Sequence, residues 1–178
     1  LSIPLREYIL SVSLFEDRPE PVDEEKVYYE FLEKPPVERV ERIYSVNEVK
    51  RSARVRDMVR RIDLDTLTFA FGSSDIKEDQ IEKLEKVANA MLKILDKNPG
   101  ETFLIEGHTD AVGSFSSNQI LSERRAESLK RVLVQEFLLP ARALETVGYG
   151  EEYLLVQTQY EEWRNRRVTI RRIDEFVR

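Results

Sequence analysis

The sequence predicts an α/β fold, specifically a two-layer (α+β) sandwich in which helices pack on one face of a mixed sheet. From residue 64 onward, strand and helix patterns follow in the order β-α-β-α-β-β, with a short helix before the last strand. Right-handed crossovers place the two long helices on the same face. The 178 residues suit one domain with an extension in front. We therefore divide the chain into an extension, residues 1–62, and a domain, residues 63–178.

The extension carries weaker patterns than the domain. Alternating apolar residues predict short strands over residues 8–14 and 27–31. The capping-box pattern from Ser45 to Glu48 predicts a helix that continues to about Val59.

Charge is divided unevenly within the extension. Residues 16–33 hold eight acids and two bases, whereas residues 39–61 hold eight bases and three acids. The simpler interpretation is two solvated segments that attract each other, and the alternative is a basic face for an acidic partner. A protein is therefore a candidate partner of residues 1–62.

The domain begins with an apolar, β-prone run from Leu64 to Phe71, which predicts its first strand. Ser73, Ser74 and Asp75 offer N-caps for an amphipathic helix that ends at Asn98-Pro99-Gly100. Just before the last strand, Trp163 is predicted to be a packing anchor. The remaining elements are a strand at 102–106, a helix at 118–137, and strands at 144–147 and 167–173.

Composition excludes several classes of function. The net charge of −6 disfavours nucleic-acid binding, which needs a basic face. The chain has no cysteine and one histidine, His108, so we expect no cofactor and no metal site, and a zinc ion held by His108 with carboxylates is the remaining alternative. No apolar run approaches the ~18 residues that span a bilayer. Because the chain begins at Leu1, we expect a fragment or a processed form.

Asp110 and Arg125 are the charged pair on which the functional prediction depends. Asp110 follows the second predicted strand, at the edge where α/β sheets favour ligand sites, and a loop and two helical turns lead from it to Arg125. A carboxylate suits a ligand's ammonium, and the planar guanidinium suits a carboxylate. Such a pair can hold a ligand that carries both charges on one carbon. Spacing alone also allows, and by itself favours, a surface ion pair or a loop cap by Asp110.

Four motifs in order resemble the OmpA-like C-terminal domain family. They are Gly107-His-Thr-Asp110, then Asn118 with Leu121-Ser-x-x-Arg125-Ala126, then Gly148-Tyr-Gly-Glu151, and finally Asn165-Arg-Arg-Val168. The resemblance covers about Leu64 to Ile173. It implies an OmpA-like β-α-β-α-β-β domain that binds peptidoglycan without catalysis and tethers the outer membrane or an envelope complex to the cell wall. It also implies a periplasmic location at the outer membrane of a Gram-negative cell.

The resemblance further implies a ligand, the diaminopimelate of the peptidoglycan stem peptide. By it, Asp110 holds the ligand's ammonium, Arg125 holds its carboxylate and Asn118 lines the site. Thr109, Leu121 and Gly72 are expected to border the pocket. Arg166 is expected either near the site or in a structural ion pair at the start of the last strand.

Other functions remain open at this point. A partner-binding module of a secretion or motility complex is one alternative, and a peptidoglycan-acting enzyme is another. The enzyme is disfavoured because Asp110 and Glu106 have no obvious catalytic partner in sequence. His108 is expected to shape its loop, with a pH-sensitive ligand contact as the alternative. The chain also lacks the Pro that usually follows Gly-Glu in the third motif, so the loop after Glu151 is predicted to take its own path.

Overall fold

The computed structural model describes residues 21–64, 67–174 and 177. A four-stranded mixed sheet lies at its centre, in the spatial order β1-β4-β2-β3. β2 and β3 are parallel, and β4 runs antiparallel to both β1 and β2. The strands are β1 (Arg61–Asp63), β2 (Phe103–Gly107), β3 (Leu144–Gly148) and β4 (Val168–Arg172). The helices are α1 (Glu24–Glu33), α2 (Val46–Arg51), α3 (Ala53–Arg56), α4 (Glu78–Lys97) and α5 (Phe115–Gln135), with 3₁₀ turns at Ala141–Ala143 and Trp163–Asn165.

The two long helices, α4 and α5, share one face of this sheet. Phe103 and Ile105 of β2 belong to the same buried cluster as Leu84 of α4 and Leu129 of α5. Side chains alternate across a strand, so these two β2 residues point to one side. The predicted fold class and the placement of both helices on one face are therefore confirmed.

The extension covers the opposite face of the sheet. Leu104 of β2 packs there in a second cluster with Val49, Val55 and Val59 from the α2–α3 region. On the far side of the molecule, α1 packs against α4 and adds Phe31 to the main core. The described part of the extension thus packs on both sides of the domain. β1 crosses the boundary that we predicted at residues 62 and 63, and that boundary stays a prediction.

Residues 27–31 form part of helix α1, so the predicted strand is wrong. Asp23 caps this helix by accepting a hydrogen bond from the Lys26 backbone N–H at 3.2 Å. The buried side chains are Tyr28, Phe31 and Leu32, whose spacing of three and four is helical. The alternation of apolar residues in this segment was therefore coincidental. The other strand predicted for the extension, at 8–14, lies outside the described residues.

The predicted helix from Ser45 is two short helices. The capping box is present, because the Ser45 hydroxyl accepts from the Glu48 N–H at 3.2 Å and the Glu48 carboxylate accepts from the Ser45 N–H at 2.8 Å. Ser52 then ends α2, and its hydroxyl accepts from the Val55 N–H at 3.3 Å to start α3. A second capping side chain thus divides one predicted helix.

The first strand of the domain lies earlier than predicted. β1 comprises Arg61–Asp63, and the described residues of the Leu64–Phe71 run adopt no strand. Leu67 and Phe69 are nonetheless buried in the main core. The apolar pattern of this run therefore indicated burial, although these residues do not form a strand. The predicted caps at 73–75 are also wrong, because α4 begins after Lys77, whose backbone N–H donates to the Gln80 side chain at 3.2 Å.

The acidic and basic segments of the extension make their described ion pairs mainly with the domain. Glu25 pairs with Lys93 and Glu33 pairs with Lys97, both on α4. Lys50 of the basic segment pairs with Glu145 of β3 at 3.0 Å. No ion pair joins the two segments within residues 21–61, and their mutual attraction stays a prediction. Within those residues, no helix is both long enough and apolar enough to cross a membrane.

Gly107 is required by the close approach of α5 to the end of β2. A Cβ atom at this position would lie 1.9 Å from the backbone oxygen of Ser122. We expect Gly107→Ala to destabilise the fold by about 2–3 kcal/mol, measured by urea unfolding, because backbone must move to admit the methyl group. Gly100→Ala is the matched control, since its nearest neighbour is a side-chain atom at 3.5 Å. Equal stability of the two variants would contradict the assigned packing.

Candidate functional site

A cleft of about 430 Å³ lies at the edge of the sheet where β2 ends and α5 begins. Its walls come from the segment before α4, the loop after β2, the first turns of α5 and the start of β4. All seven residues predicted for the site line this one cleft: Gly72, Thr109, Asp110, Asn118, Leu121, Arg125 and Arg166.

Asp110 lies at the floor of the cleft and is 3% exposed. One oxygen of its carboxylate, Oδ2, accepts a hydrogen bond from the Arg166 guanidinium at 3.0 Å and another from the Glu162 N–H at 3.4 Å. The other oxygen, Oδ1, accepts from the Val112 N–H at 3.3 Å. Asp110 therefore caps its own loop, as one of the structural alternatives predicted. The other alternative, a surface ion pair with Arg125, is wrong, because Asp110 is buried and its ion-pair partner is Arg166.

Arg125 is enclosed completely, with no exposed surface. Its guanidinium donates to the backbone oxygens of Ser73 at 2.9 Å, His108 at 3.0 Å and Ala70 at 3.3 Å. The charge also lies over the Phe69 ring, 4.9 Å from its centroid. Arg125 thus ties three chain segments together at the cleft.

The environment of Arg125 lowers the affinity of its guanidinium group for a proton. Burial lowers the pKa of the guanidinium from its ordinary range to about 10, and the charge of Arg166 acts in the same direction. The negative charge of Asp110 opposes this shift. At neutral pH the side chain stays cationic, and a nearby anion would be attracted by two positive groups.

Arg166 fulfils both of the roles predicted for it. It lines the cleft, and it also forms the ion pair with Asp110 at the start of β4. Its Nε donates to the Phe69 backbone oxygen at 3.2 Å. With 15% of its side chain exposed, Arg166 is more accessible than Arg125, which has no exposed surface.

Asn118 shapes the loop that carries Asp110. The helix begins earlier than predicted, because Ser114 is the N-cap of α5 and accepts from the Ser117 N–H at 3.1 Å. Asn118 consequently lies in the first turn, where its amide donates to the backbone oxygens of Asp110 at 3.3 Å and Val112 at 3.0 Å. Thr109 is buried beside it, and its hydroxyl donates to the Asp110 backbone oxygen at 2.9 Å.

Sequence reasoning missed two exposed apolar side chains that line the cleft. Phe71 is 55% exposed and Ile120 is 51% exposed. Gly72, next to Phe71, has a φ of +69°, which favours glycine and turns the chain beside the cleft. The sequence offered little indication that Phe71 is exposed, because it continues an apolar run that is typical of a buried segment.

The third and fourth motifs hold the loop beyond β3. The Gly150 N–H donates to the Ser122 hydroxyl at 2.8 Å, which ties this loop to α5. The Asn165 side chain accepts from the Val156 N–H and donates to the Val156 backbone oxygen, each at 2.9 Å. Trp163 is 51% exposed, so its predicted role as a packing anchor is wrong. Asn165, which is fully buried, performs that role through hydrogen bonds.

A second buried polar cluster lies on the sheet face that the extension covers. The Glu106 carboxylate pairs with Arg56 at 2.9 Å and with Arg171 at 3.0 Å, and it accepts from the Thr169 hydroxyl. The Arg56 guanidinium also lies over the Tyr149 ring, 4.1 Å from its centroid. Glu106 is thus fully engaged in holding the extension to the sheet.

His108 lies beside this second cluster and not in the cleft. It is 3% exposed, its ring packs near Tyr149 and Tyr153, and neither ring nitrogen has a hydrogen-bond partner among the described residues. Its backbone oxygen receives the bond from Arg125, which agrees with the loop-shaping role. The described residues contain no cluster of His, Asp and Glu suited to a metal ion.

These residues and their fold match a known family. Residues 68–167 match the OmpA family, so the chain belongs to that family. Outer membrane porin F of Pseudomonas aeruginosa is 38% identical over 112 residues, which are 62% of this chain and 31% of the porin. The peptidoglycan-associated lipoprotein of the same organism is 32% identical over 131 residues, which are 72% of this chain and 74% of the lipoprotein. The chain therefore spans about a third of the porin's length but most of the lipoprotein's.

Solved structures agree with this assignment. The C-terminal domain of Helicobacter pylori MotB superposes with a TM-score of 0.50 and 25% identity, covering 60% of this chain and 83% of that one. The OmpA-like domain of FopA1 from Francisella tularensis gives a TM-score of 0.51 at 21% identity, covering 62% of this chain and 69% of that one, and supports the fold alone.

Loss of the Arg125 side chain should destabilise the fold. Arg125→Ala leaves three backbone oxygens without their donor and creates a cavity, so we expect a loss of about 3–5 kcal/mol in the free energy of unfolding. The neighbouring Arg124 is exposed, and Arg124→Ala should change stability by less than about 0.5 kcal/mol. Urea unfolding of the two variants tests the assignment, which similar losses would contradict.

His108 should make stability depend on pH. Its pKa lies well below the ordinary value, because burial and the charges of Arg167, Arg61, Arg171 and Arg56 disfavour the imidazolium. The unfolded chain takes up a proton near pH 6.5 that the folded chain does not, so this contribution falls as the pH drops below that value.

Urea unfolding at pH 7.5 and pH 5.5 measures the effect. We expect the wild type to lose about 1 kcal/mol more than His108→Gln over this interval, because the variant lacks the titrating ring. Identical losses in the two proteins would show that the pKa of His108 in the folded protein equals its pKa in the unfolded chain.

Proposed function

We propose that this chain binds peptidoglycan without covalent bonds, through the diaminopimelate of the stem peptide. The observation that carries the proposal is the convergence of Asp110, Arg125 and Arg166 on one open cleft. The free end of diaminopimelate bears an ammonium and a carboxylate on one carbon. Such a ligand needs an anion and a cation a few ångströms apart, which these side chains supply.

In the proposed complex, Asp110 accepts hydrogen bonds from the ligand's ammonium. Oδ2 already accepts from Arg166 and Glu162, whereas Oδ1 accepts only from Val112 and has capacity for this donor. Because Asp110 is almost fully buried, the ammonium must enter the cleft and lose most of its water. Burial of this kind makes the site selective, since an uncharged group at this position would lack the charge attraction to Asp110.

The ligand's carboxylate is expected to lie against the two arginines. The three bonds of Arg125 use its Nε and one N–H of each terminal nitrogen, so the second N–H of each terminal nitrogen makes no hydrogen bond with a described residue. Because Arg125 has no exposed surface, the side chains that line the cleft must move aside for the ligand's carboxylate to reach these N–H groups. Arg166 adds the exposed part of the positive surface. We therefore assign recognition to Arg125 with Arg166, whereas sequence reasoning assigned it to Arg125 with Arg166 only nearby.

The role that follows is an anchor between the cell envelope and the wall. A relative at 32% identity is named for its association with peptidoglycan, and other relatives are named as outer membrane proteins or as a motility protein. We propose a periplasmic location at the outer membrane for this chain. A single site of modest affinity suffices, because the wall repeats its peptides and many anchors act together.

Asp110→Asn should abolish binding while keeping the fold. The amide preserves shape and one acceptor oxygen but removes the negative charge, so we expect pull-down on diaminopimelate-type sacculi to fall at least tenfold. Asp96→Asn, an exposed change on α4 away from the cleft, should bind as the wild type does. A melting temperature close to that of the wild type verifies that Asp110→Asn is folded.

Lysine-type sacculi provide a control on the side of the ligand. A lysine side chain carries the ammonium but lacks the carboxylate, so the wild type should bind these sacculi at least tenfold more weakly. Wild-type binding by Asp110→Asn, or equal binding to both wall types, would overturn the proposal.

The two alternatives have less support. Glu106, one of the acids considered for catalysis, is committed to Arg56 and Arg171. For a partner-binding extension, the described helices α1, α2 and α3 use their apolar faces to pack on the domain. An envelope partner of residues 1–62 stays a prediction.

A further inference from the structure

A second groove, of about 450 Å³, continues from the cleft along helix α5. We call it the helix groove. One wall is formed by residues 74–75, and the other by the α5 face from Ile120 to Arg131. Ile120 and Arg124 line both spaces, so the helix groove adjoins the cleft at these two residues. A ligand longer than one amino acid that is bound in the cleft would therefore extend past them into the groove.

Two guanidinium groups of the helix groove have no partner among the residues that the structure describes. Arg124 and Arg131 are exposed, and neither makes a hydrogen bond or an ion pair with any described residue. They lie seven residues apart, which is two helical turns or about 10 Å along the same side of α5. This spacing gives the groove two positive points in line with the cleft.

Two of the three acids in the groove accept a hydrogen bond from a neutral side chain. Glu123 accepts one from Gln119 at 3.0 Å, and Glu127 accepts one from Thr146. Asp75 is exposed on the opposite wall. All three acids keep their negative charge, but none of them forms an ion pair with Arg124 or Arg131 among the described residues, so both guanidinium groups can bind a ligand.

We propose that the helix groove binds the part of the stem peptide next to the diaminopimelate, with a free carboxylate of that peptide held by Arg124 and Arg131. This inference rests on the proposed function, because diaminopimelate in the cleft fixes where the rest of the peptide begins. The neighbouring γ-linked D-glutamate residue carries a free α-carboxylate. That group is the chemical match for an unpaired guanidinium one or two residues beyond the cleft.

Calorimetric titration with two ligands tests this extended site. We expect the tripeptide L-Ala-γ-D-Glu-diaminopimelate to bind about tenfold more tightly than free diaminopimelate at low salt, which is the size of one charge-assisted contact. Arg131→Ala changes only the helix groove, so it should remove this gain and leave the affinity for free diaminopimelate unchanged. Lys86→Ala, an exposed change on α4, should alter neither affinity.

An amidated tripeptide, in which the D-glutamate α-carboxylate is a carboxamide, completes the design. It should bind the wild type about tenfold more weakly than the acid form, and should bind Arg131→Ala as the acid form does. Equal wild-type affinities for the tripeptide and free diaminopimelate, or an equal effect of amidation on both proteins, would overturn the extended site. Absence of binding of free diaminopimelate to the wild type would instead overturn the proposed function, and this inference with it.

Discussion

The architecture of the cleft depends on one enclosed guanidinium. Arg125 reaches from α5 to the backbone oxygens of Ala70, Ser73 and His108, which belong to two segments that share no strand or helix. Hydrogen bonds from a charged donor are about twice as strong as neutral ones, and losing such a bond costs more free energy when the groups are buried. The segment before α4 has no sheet pairing of its own, so these contacts set where it runs and how wide the cleft is.

The opposite face of the sheet is organised by a negative charge in the same manner. Glu106 lies on β2 between Arg56 of the extension and Arg171 of β4, and all three are almost fully buried. A buried carboxylate is tolerated only when it is paired and hydrogen-bonded, which Thr169 completes. Strand β2 and the loop after it therefore have different roles, because Glu106 of the strand holds the extension and Asp110 of the loop lines the cleft.

The sequence predicted the domain well because its signals were both local and redundant. The apolar stripe of α4 predicted that helix by itself, whereas strands β2, β3 and β4 each had an apolar pattern and a motif at one end. The prediction failed where the same apolar pattern fits both a strand and a helix. Val27, Tyr29 and Phe31 alternate like a strand, but Asp23 caps a helix there. Arg166 was left between two roles because its partner, Asp110, is 56 residues away, and no sequence spacing reveals a contact of that range.

The packing of the extension bears on where a stable fragment of this chain can begin. The family match begins at residue 68, yet β1 and the Arg56 partner of Glu106 precede it. A polypeptide cut at that point would leave Glu106 one cation short and would remove Val49, Val55 and Val59 from around Leu104. We therefore expect a stable fragment of this chain to need residues upstream of the family match, so that the boundary of homology and the boundary of stability lie at different positions.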